Sequence, residues 1–139
     1  MGDLSKHFSL WEFACPGTLL NSTFVDSRLL LALEELRALL RQPIYILSGY
    51  RTLEHNTAIG GSTNSQHLLG KAADIIVPEL NIMQIAEEAI KVEAFRLGGV
   101  GLYPLEKFVH LDVRGYMARW AVRNSKMMSI EEALPLYVS

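Results

Sequence analysis

The sequence predicts an α+β fold in which helices pack on a small, mostly antiparallel sheet. Three observations carry that expectation. A long leucine-rich segment has helical spacing, several short segments have strand-like composition, and the two kinds mix without a recurring βαβ rhythm. At 139 residues the chain has the commonest size of one compact domain and shows no repeat or Pro/Gly/Ser-rich linker, so a single domain over 1–139 is expected.

The elements follow in chain order. "SLWE" (9–12) has the Ser-x-x-Glu form of a capping box and starts a helical turn. In "DSRLLLALEELRALLRQ" (26–42), Leu29, Leu33, Leu36 and Leu40 recur at helical spacing. Asp26 or Ser27 caps that helix and Pro43 stops it. "PIYIL" (43–47) reads as a short buried strand, and 52–66, with "GGSTNS", as a loop holding at most a turn of helix. "AADIIV" (72–77) is β-branched enough for a strand. "NIMQIAEEAIKV" (81–92) places Ile82, Ile85, Ala89 and Val92 on one helical face. "GGVGLY" (98–103) and "FVHLDV" (108–113) read as two strands joined by a turn containing Pro104. "SIEEAL" (129–134) is expected to form a short closing helix.

Composition excludes several function classes. Half of the residues are apolar and 20% charged, with formal net charge −2, as in a folded globular protein. No Lys/Arg run suggests nucleic-acid binding or a polybasic membrane anchor. The one cysteine, Cys15, rules out an intrachain disulfide framework and reads as a small buried apolar residue. No apolar stretch approaches the ~20 residues of a membrane span. "MGDLSKHFSLWEF" lacks the layout of a signal peptide. The expectation is a chain that is cytoplasmic as synthesised, or that leaves the cell by another route.

Four histidines are present. His7 lies near the terminus and is expected to be solvated; His55 reads as a loop residue. His67 and Asp74 stand seven apart in "SQHLLGKAAD" (65–74). Gly70 allows a turn and Ala72 keeps bulk away, so His67 can fold back beside the Asp74 carboxylate. An imidazole and a carboxylate suit zinc, at about 2.0–2.2 Å from the metal. Taken alone the pair leaves two readings open, a metal site or a loop histidine followed by an acid. In "FVHLDVR", alternation puts Phe108, His110 and Asp112 on one face and an apolar Val109, Leu111, Val113 set on the other. His110 and Asp112 therefore point away from the core, into a cleft or solvent. His67, Asp74 and His110 together would leave a fourth zinc position open, the layout of a catalytic site. Arg51 in "SGYRT" follows a strand end, where a guanidinium can contact a carboxylate or a developing oxyanion.

These pieces, with Ser65-x-His67-x-x-Gly70-x-Ala72-x-Asp74 at their centre and "GGVGLYP", "FVHLDVR" and "RW" after it, resemble the zinc D-alanyl-D-alanine carboxypeptidase family. The likeness is to its small single-domain branch of bacterial cell-wall and phage proteins. It runs from "FSLWEFAC" to Trp120. It implies a fold shared with lysostaphin-type peptidases and the hedgehog signalling domain, with one zinc ion held by His67, Asp74 and His110. It also implies substrate contact by Arg51 and Ser65, and peptidoglycan stem peptides or D-alanine dipeptides as substrates. A phage lysin and a wall-recycling enzyme both fit.

One departure concerns the general base. Better-known members carry an acid three residues before the last zinc histidine; here that position is Lys107. Glu106 lies about 13 Å along a strand from His110, whereas Asp112 is at about 7 Å. Asp112 is therefore expected as the base, or as a partner orienting a ligand. Lys107 keeps open a non-enzymatic zinc module or a phage structural part on the same fold.

Overall fold

The structure is a computed structural model that describes residues 2–123 and 126–128. The closing helix expected over 129–134 lies outside the described residues. The first helix, α1 (Ser27–Leu40), buries Leu29, Ala32, Leu33 and Leu36, each fully buried leucine contributing about 1.5–3 kcal/mol. Asp26 caps it by accepting the Arg28 N–H. It ends before Pro43, because Arg41 turns into the left-handed region (φ 56°) and returns its N–H to the Arg37 carbonyl. A short 3-10 turn over Leu10–Phe13 carries the Ser9/Glu12 capping box that "SLWE" announces.

Among the described residues, six strands form one sheet: β1 (Tyr45–Ser48), β2 (Ala72–Ile76), β3 (Gly99–Tyr103), β4 (Phe108–Asp112), β5 (Ala118–Arg123) and β6 (Lys126–Met128). Their spatial order is β1-β2-β4-β3-β5-β6. Every pairing is antiparallel except the parallel β3–β5 pair. The expected fold class holds, with two strands more than the sequence suggests, β5 and β6, at one end of the sheet. "ARWAVR" of β5 mixes alanine and arginine, so it lacks the apolar alternation that marks a half-buried strand.

Between β1 and β2, α2 (Leu53–Ala58) occupies part of the expected loop, capped by the Thr52 hydroxyl. Beyond β2, α3 (Ile82–Ala89) and α4 (Glu93–Arg96) pack on β3 and β4, and α1 packs on those helices. The helix-covered face of the sheet presents Ala73, Ile75, Val100, Leu102, Val109 and Leu111, all buried. Alternation sends His110 and Asp112 to the other face, as expected, and Asp74 of β2 joins them there. They are largely shielded from solvent: β4 lies in the interior of the sheet, and Asp112 is 0% and His110 6% exposed.

Candidate metal centre

One row of register partners crosses the polar face of the sheet. Ser48 on β1 stands opposite Asp74 on β2, Asp74 opposite His110 on β4, His110 opposite Gly101 on β3, and Gly101 opposite Trp120 on β5. An irregularity between Ile46 and Ser48 brings Ser48 into that row. Gly101 is required there, because a Cβ would lie 2.4 Å from the Trp120 indole. The indole instead leans over β3 to the His110 ring, with centroids 5.0 Å apart.

His67 arrives from a short 3-10 turn, Gln66–Leu69, between α2 and β2. Ser65 caps the turn by accepting the His67 N–H at 3.2 Å. Gly70 closes it at φ +67°, returning its N–H to the carbonyls of Gln66 and His67. The bend the sequence places at Gly70 is therefore real, and the spacing brings His67 Nε2 to 3.2 Å from Asp74 Oδ1. From the other side, His110 Nδ1 stands 3.0 Å from the same oxygen. The ligand atoms of His67, Asp74 and His110 all lie within 4.8 Å of one another, and all three residues are buried.

The outer nitrogens decide what the inner ones can do. His67 Nδ1 faces the Gly49 carbonyl at 2.7 Å, which only accepts, so that nitrogen carries the proton. His110 Nε2 faces Asp112 Oδ2 at 2.7 Å and donates in the same way. In neutral imidazoles the inner nitrogens then present lone pairs to a carboxylate oxygen. Three lone pairs converging in a buried site repel unless a cation sits among them, and anchoring of the far nitrogen is how metal-ligating histidines are held. Two imidazoles and one carboxylate also leave a coordination position free, as catalytic sites do. The residues present therefore fit a divalent metal.

Arg51 joins this centre. Its Nη2 donates to Asp74 Oδ2 at 3.3 Å, Nη1 to Asn56 Oδ1 at 3.2 Å, and Nε to Ser48 Oγ at 3.3 Å. Asn56 is fixed by donating to the Ser62 carbonyl at 2.8 Å. Gly61 leaves room for that pair, since a Cβ there would meet Asn56 Oδ1 at 2.2 Å. Burial opposes ionisation of Asp74; were the inner nitrogens of His110 and His67 to carry protons in place of a metal, their hydrogen bonds would outweigh it and lower the carboxyl below its usual range.

Asp112 does not take the position expected of a base. Its carboxylate sits at the far edge of the His110 ring, on Nε2, whereas the converging lone pairs lie on the Nδ1 side. Both oxygens are engaged: Oδ1 accepts the N–H groups of Gly99 at 2.9 Å and Arg114 at 3.1 Å, and Arg114 Nη2 donates to Oδ2 at 2.7 Å. Burial resists its charge, and His110 and Arg114 overcome it, so this carboxyl too is held far below the ordinary range. The geometry suits the second role foreseen for Asp112, orientation of His110. Glu106 and Lys107 are both exposed in the β3–β4 turn.

A cleft of about 310 Å³ opens beside the centre, lined among others by Ser48, Tyr50, Arg51, His55, Asp74 and Phe108. His55 thus belongs to the cleft wall on α2 rather than to a loop in solvent. His7 is tied by its Nδ1 to Glu34 at 2.6 Å, not simply solvated. Sequence reasoning passed over Arg114 and Asn56. Arg114 continues the parity of His110 and Asp112, and Asn56 lies five residues after Arg51 across a helix start, so both signals were present.

The peptidase M15 family model matches residues 6–112, a span that contains Arg51, His67, Asp74, His110 and Asp112. Among curated relatives, the peptidoglycan L,D-endopeptidase MepK of Escherichia coli K12 is 34% identical over 95 residues, covering 63% of this chain and 50% of the relative. The Shigella flexneri protein of that name gives the same figures. A probable peptidoglycan L,D-endopeptidase MepK of Haemophilus influenzae is 33% identical over 82 residues, covering 55% and 42%. The chain spans about half the length of the curated relatives it matches. Its sequence match and its His-Asp-His centre agree: the chain belongs to the peptidase M15 family.

Proposed function

We propose that this chain is a zinc-dependent endopeptidase that hydrolyses an L,D bond within peptidoglycan stem peptides. The observation that carries the reading is the convergence of His67 Nε2 and His110 Nδ1 on Asp74 Oδ1 while their outer nitrogens are anchored. The bond class follows the relatives' printed activity. In the net reaction the oxygen of water bonds to the scissile carbonyl carbon, the C–N bond breaks, and the leaving amine takes up a proton. Zinc, when bound, supplies a Lewis acid that lowers the pKa of a water towards ~7 and polarises the carbonyl.

The protein's own residues do the rest. His67, Asp74 and His110 hold the metal, and Asp112, clamped by Arg114, fixes the His110 tautomer. Ser65 holds the turn that delivers His67. Arg51, steadied by Asn56 and Ser48, keeps a cation at the cleft, where it can meet a substrate carboxylate or the developing oxyanion.

The test is zinc-loaded protein incubated with purified peptidoglycan and the soluble products identified by mass spectrometry. Stem-peptide fragments cut at an L,D bond, abolished by chelator and restored by zinc, are expected. Release of terminal D-alanine alone would assign a carboxypeptidase instead. One observation favours a second reading, a zinc-holding module without hydrolysis: Lys107 replaces the usual acid and, like Glu106, is exposed in the turn. Intact peptidoglycan after incubation with stoichiometrically loaded protein, under conditions where a known murein peptidase digests it, would select that reading.

A further inference from the structure

Tyr103 ends β3 two register pairs beyond the row of the metal centre. Its partner on β4 is Phe108, two residues from His110 on the same face. The two rings stack, with centroids 4.5 Å apart and an interplanar angle of 13°, and Phe108 is itself part of the cleft wall that holds Asp74 and Arg51. The Tyr103 hydroxyl accepts a hydrogen bond from Trp120 Nε1 at 3.2 Å. That indole lies over Gly101 and against the His110 ring. The phenol is thus held between the cleft wall and the ring of a candidate ligand, within electrostatic reach of both Asp74 and Arg51.

The indole N–H is a donor only, so it fixes which role the phenol plays. With an oxygen lone pair taken by Trp120, the hydroxyl proton remains to be given, and it has no acceptor among the described residues. Burial pushes the phenol above its ordinary value, so it carries that proton at neutral pH. A half-buried, oriented, unspent donor beside a metal centre matches one need of amide hydrolysis. Negative charge builds on the carbonyl oxygen, and a donor aimed there before the reaction costs no reorganisation.

Resting on the peptidase reading above, we propose that Tyr103 is a catalytic residue whose hydroxyl, oriented by Trp120, donates a hydrogen bond to the scissile carbonyl oxygen as charge develops on it. Arg51 and Tyr103 then serve the substrate from opposite sides: Arg51 is anchored on Asp74, on the β1–β2 side of His110, and Tyr103 on Trp120, on the β3–β5 side.

Tyr103→Phe tests this while keeping the ring that stacks on Phe108. Removing one oxyanion donor lowers kcat by about 10²–10³-fold in comparable sites. The expected result is a fall of about 100-fold in kcat with KM changed less than about threefold and zinc content equal to wild type. A phosphinate analogue of the L,D bond, which mimics the tetrahedral state, should lose affinity for Tyr103→Phe by a similar factor. Turnover within about threefold of wild type with unchanged phosphinate affinity would overturn the inference, as would loss of zinc, which would make Tyr103 structural. The two levels separate cleanly. A wild type that neither cleaves nor binds the phosphinate removes the peptidase reading and this inference together. Full wild-type cleavage undiminished in Tyr103→Phe removes the inference alone.

Discussion

The two faces of the sheet are built from the same strands and are buried by opposite means. On the helix side, Val100, Leu102, Val109 and Leu111 exclude water by packing against α3, α4 and each other. On the metal side, Asp74, His110 and Asp112 are almost equally buried. Here burial is tolerated because nearly every polar atom has a partner: Gly49 for His67, Arg51 for Asp74, and Gly99 with Arg114 for Asp112. An unpaired buried polar group costs about 1–3 kcal/mol, and more if charged. The contrast teaches that one face specifies the fold by volume and the other by saturation. The second leaves one deliberate gap, the cluster of lone pairs around Asp74 Oδ1.

That contrast can be broken from either side. The largest loss of stability is expected from the apolar face. Leu111→Ala should destabilise the fold by about 2–5 kcal/mol, read by denaturant unfolding, while the folded fraction still binds one equivalent of zinc. Asp112→Asn should act on the other face. It keeps the shape but withdraws charge from His110 Nε2, and is expected to weaken zinc binding by about 10–100-fold in a chelator competition. If Leu111→Ala abolished zinc binding in folded protein, or Asp112→Asn left it unchanged, the division between the faces would fail.

Much of this was legible in the sequence because it rests on alternation and spacing. Period two in "FVHLDVR" separates the apolar and polar faces correctly, and Gly70 marks the bend that joins His67 to Asp74. What alternation cannot supply is the lateral neighbour of a strand. The sequence does not say that β5 runs parallel beside β3 and lays Trp120 over Gly101, nor that the turn carrying His67 folds over the polar face. For that reason His110 and Asp112 read as facing a cleft or solvent, and Asp112 as either a base or a partner orienting a ligand. Only the pairing pattern shows its carboxylate behind the histidine.

Two smaller effects sharpen the comparison. Gly99→Ala places a Cβ 2.2 Å from Asp112 Oδ2, so it should disturb His110 and lower zinc affinity by less than Asp112→Asn does, seen in the same competition. Far from both faces, Glu34 accepts the His7 N–H and ring N–H and the Ser5 hydroxyl. Burial raises its pKa, but those bonds from Ser5 and His7 win and lower it. A carboxyl lowered by folding stabilises above its unfolded value, near 4.3, and loses that contribution as pH falls through the folded value. Glu34→Gln should therefore flatten the acid limb of the stability curve below about pH 4.5 and leave zinc binding untouched. An unchanged acid limb would mean that the N-terminal tether carries no folding energy.

The most direct measurement is metal content by elemental analysis, on wild type and on His110→Ala purified without chelator or a metal-affinity tag. Circular dichroism would confirm that both are folded. The proposed function predicts about one zinc per wild-type chain and none in the variant, because His110 supplies one of the three convergent ligand atoms found among the described residues. Two folded proteins that both fail to hold zinc, even after it is supplied, would contradict the account: the lone pairs around Asp74 would then be satisfied by protons, and the centre would not be a metal site.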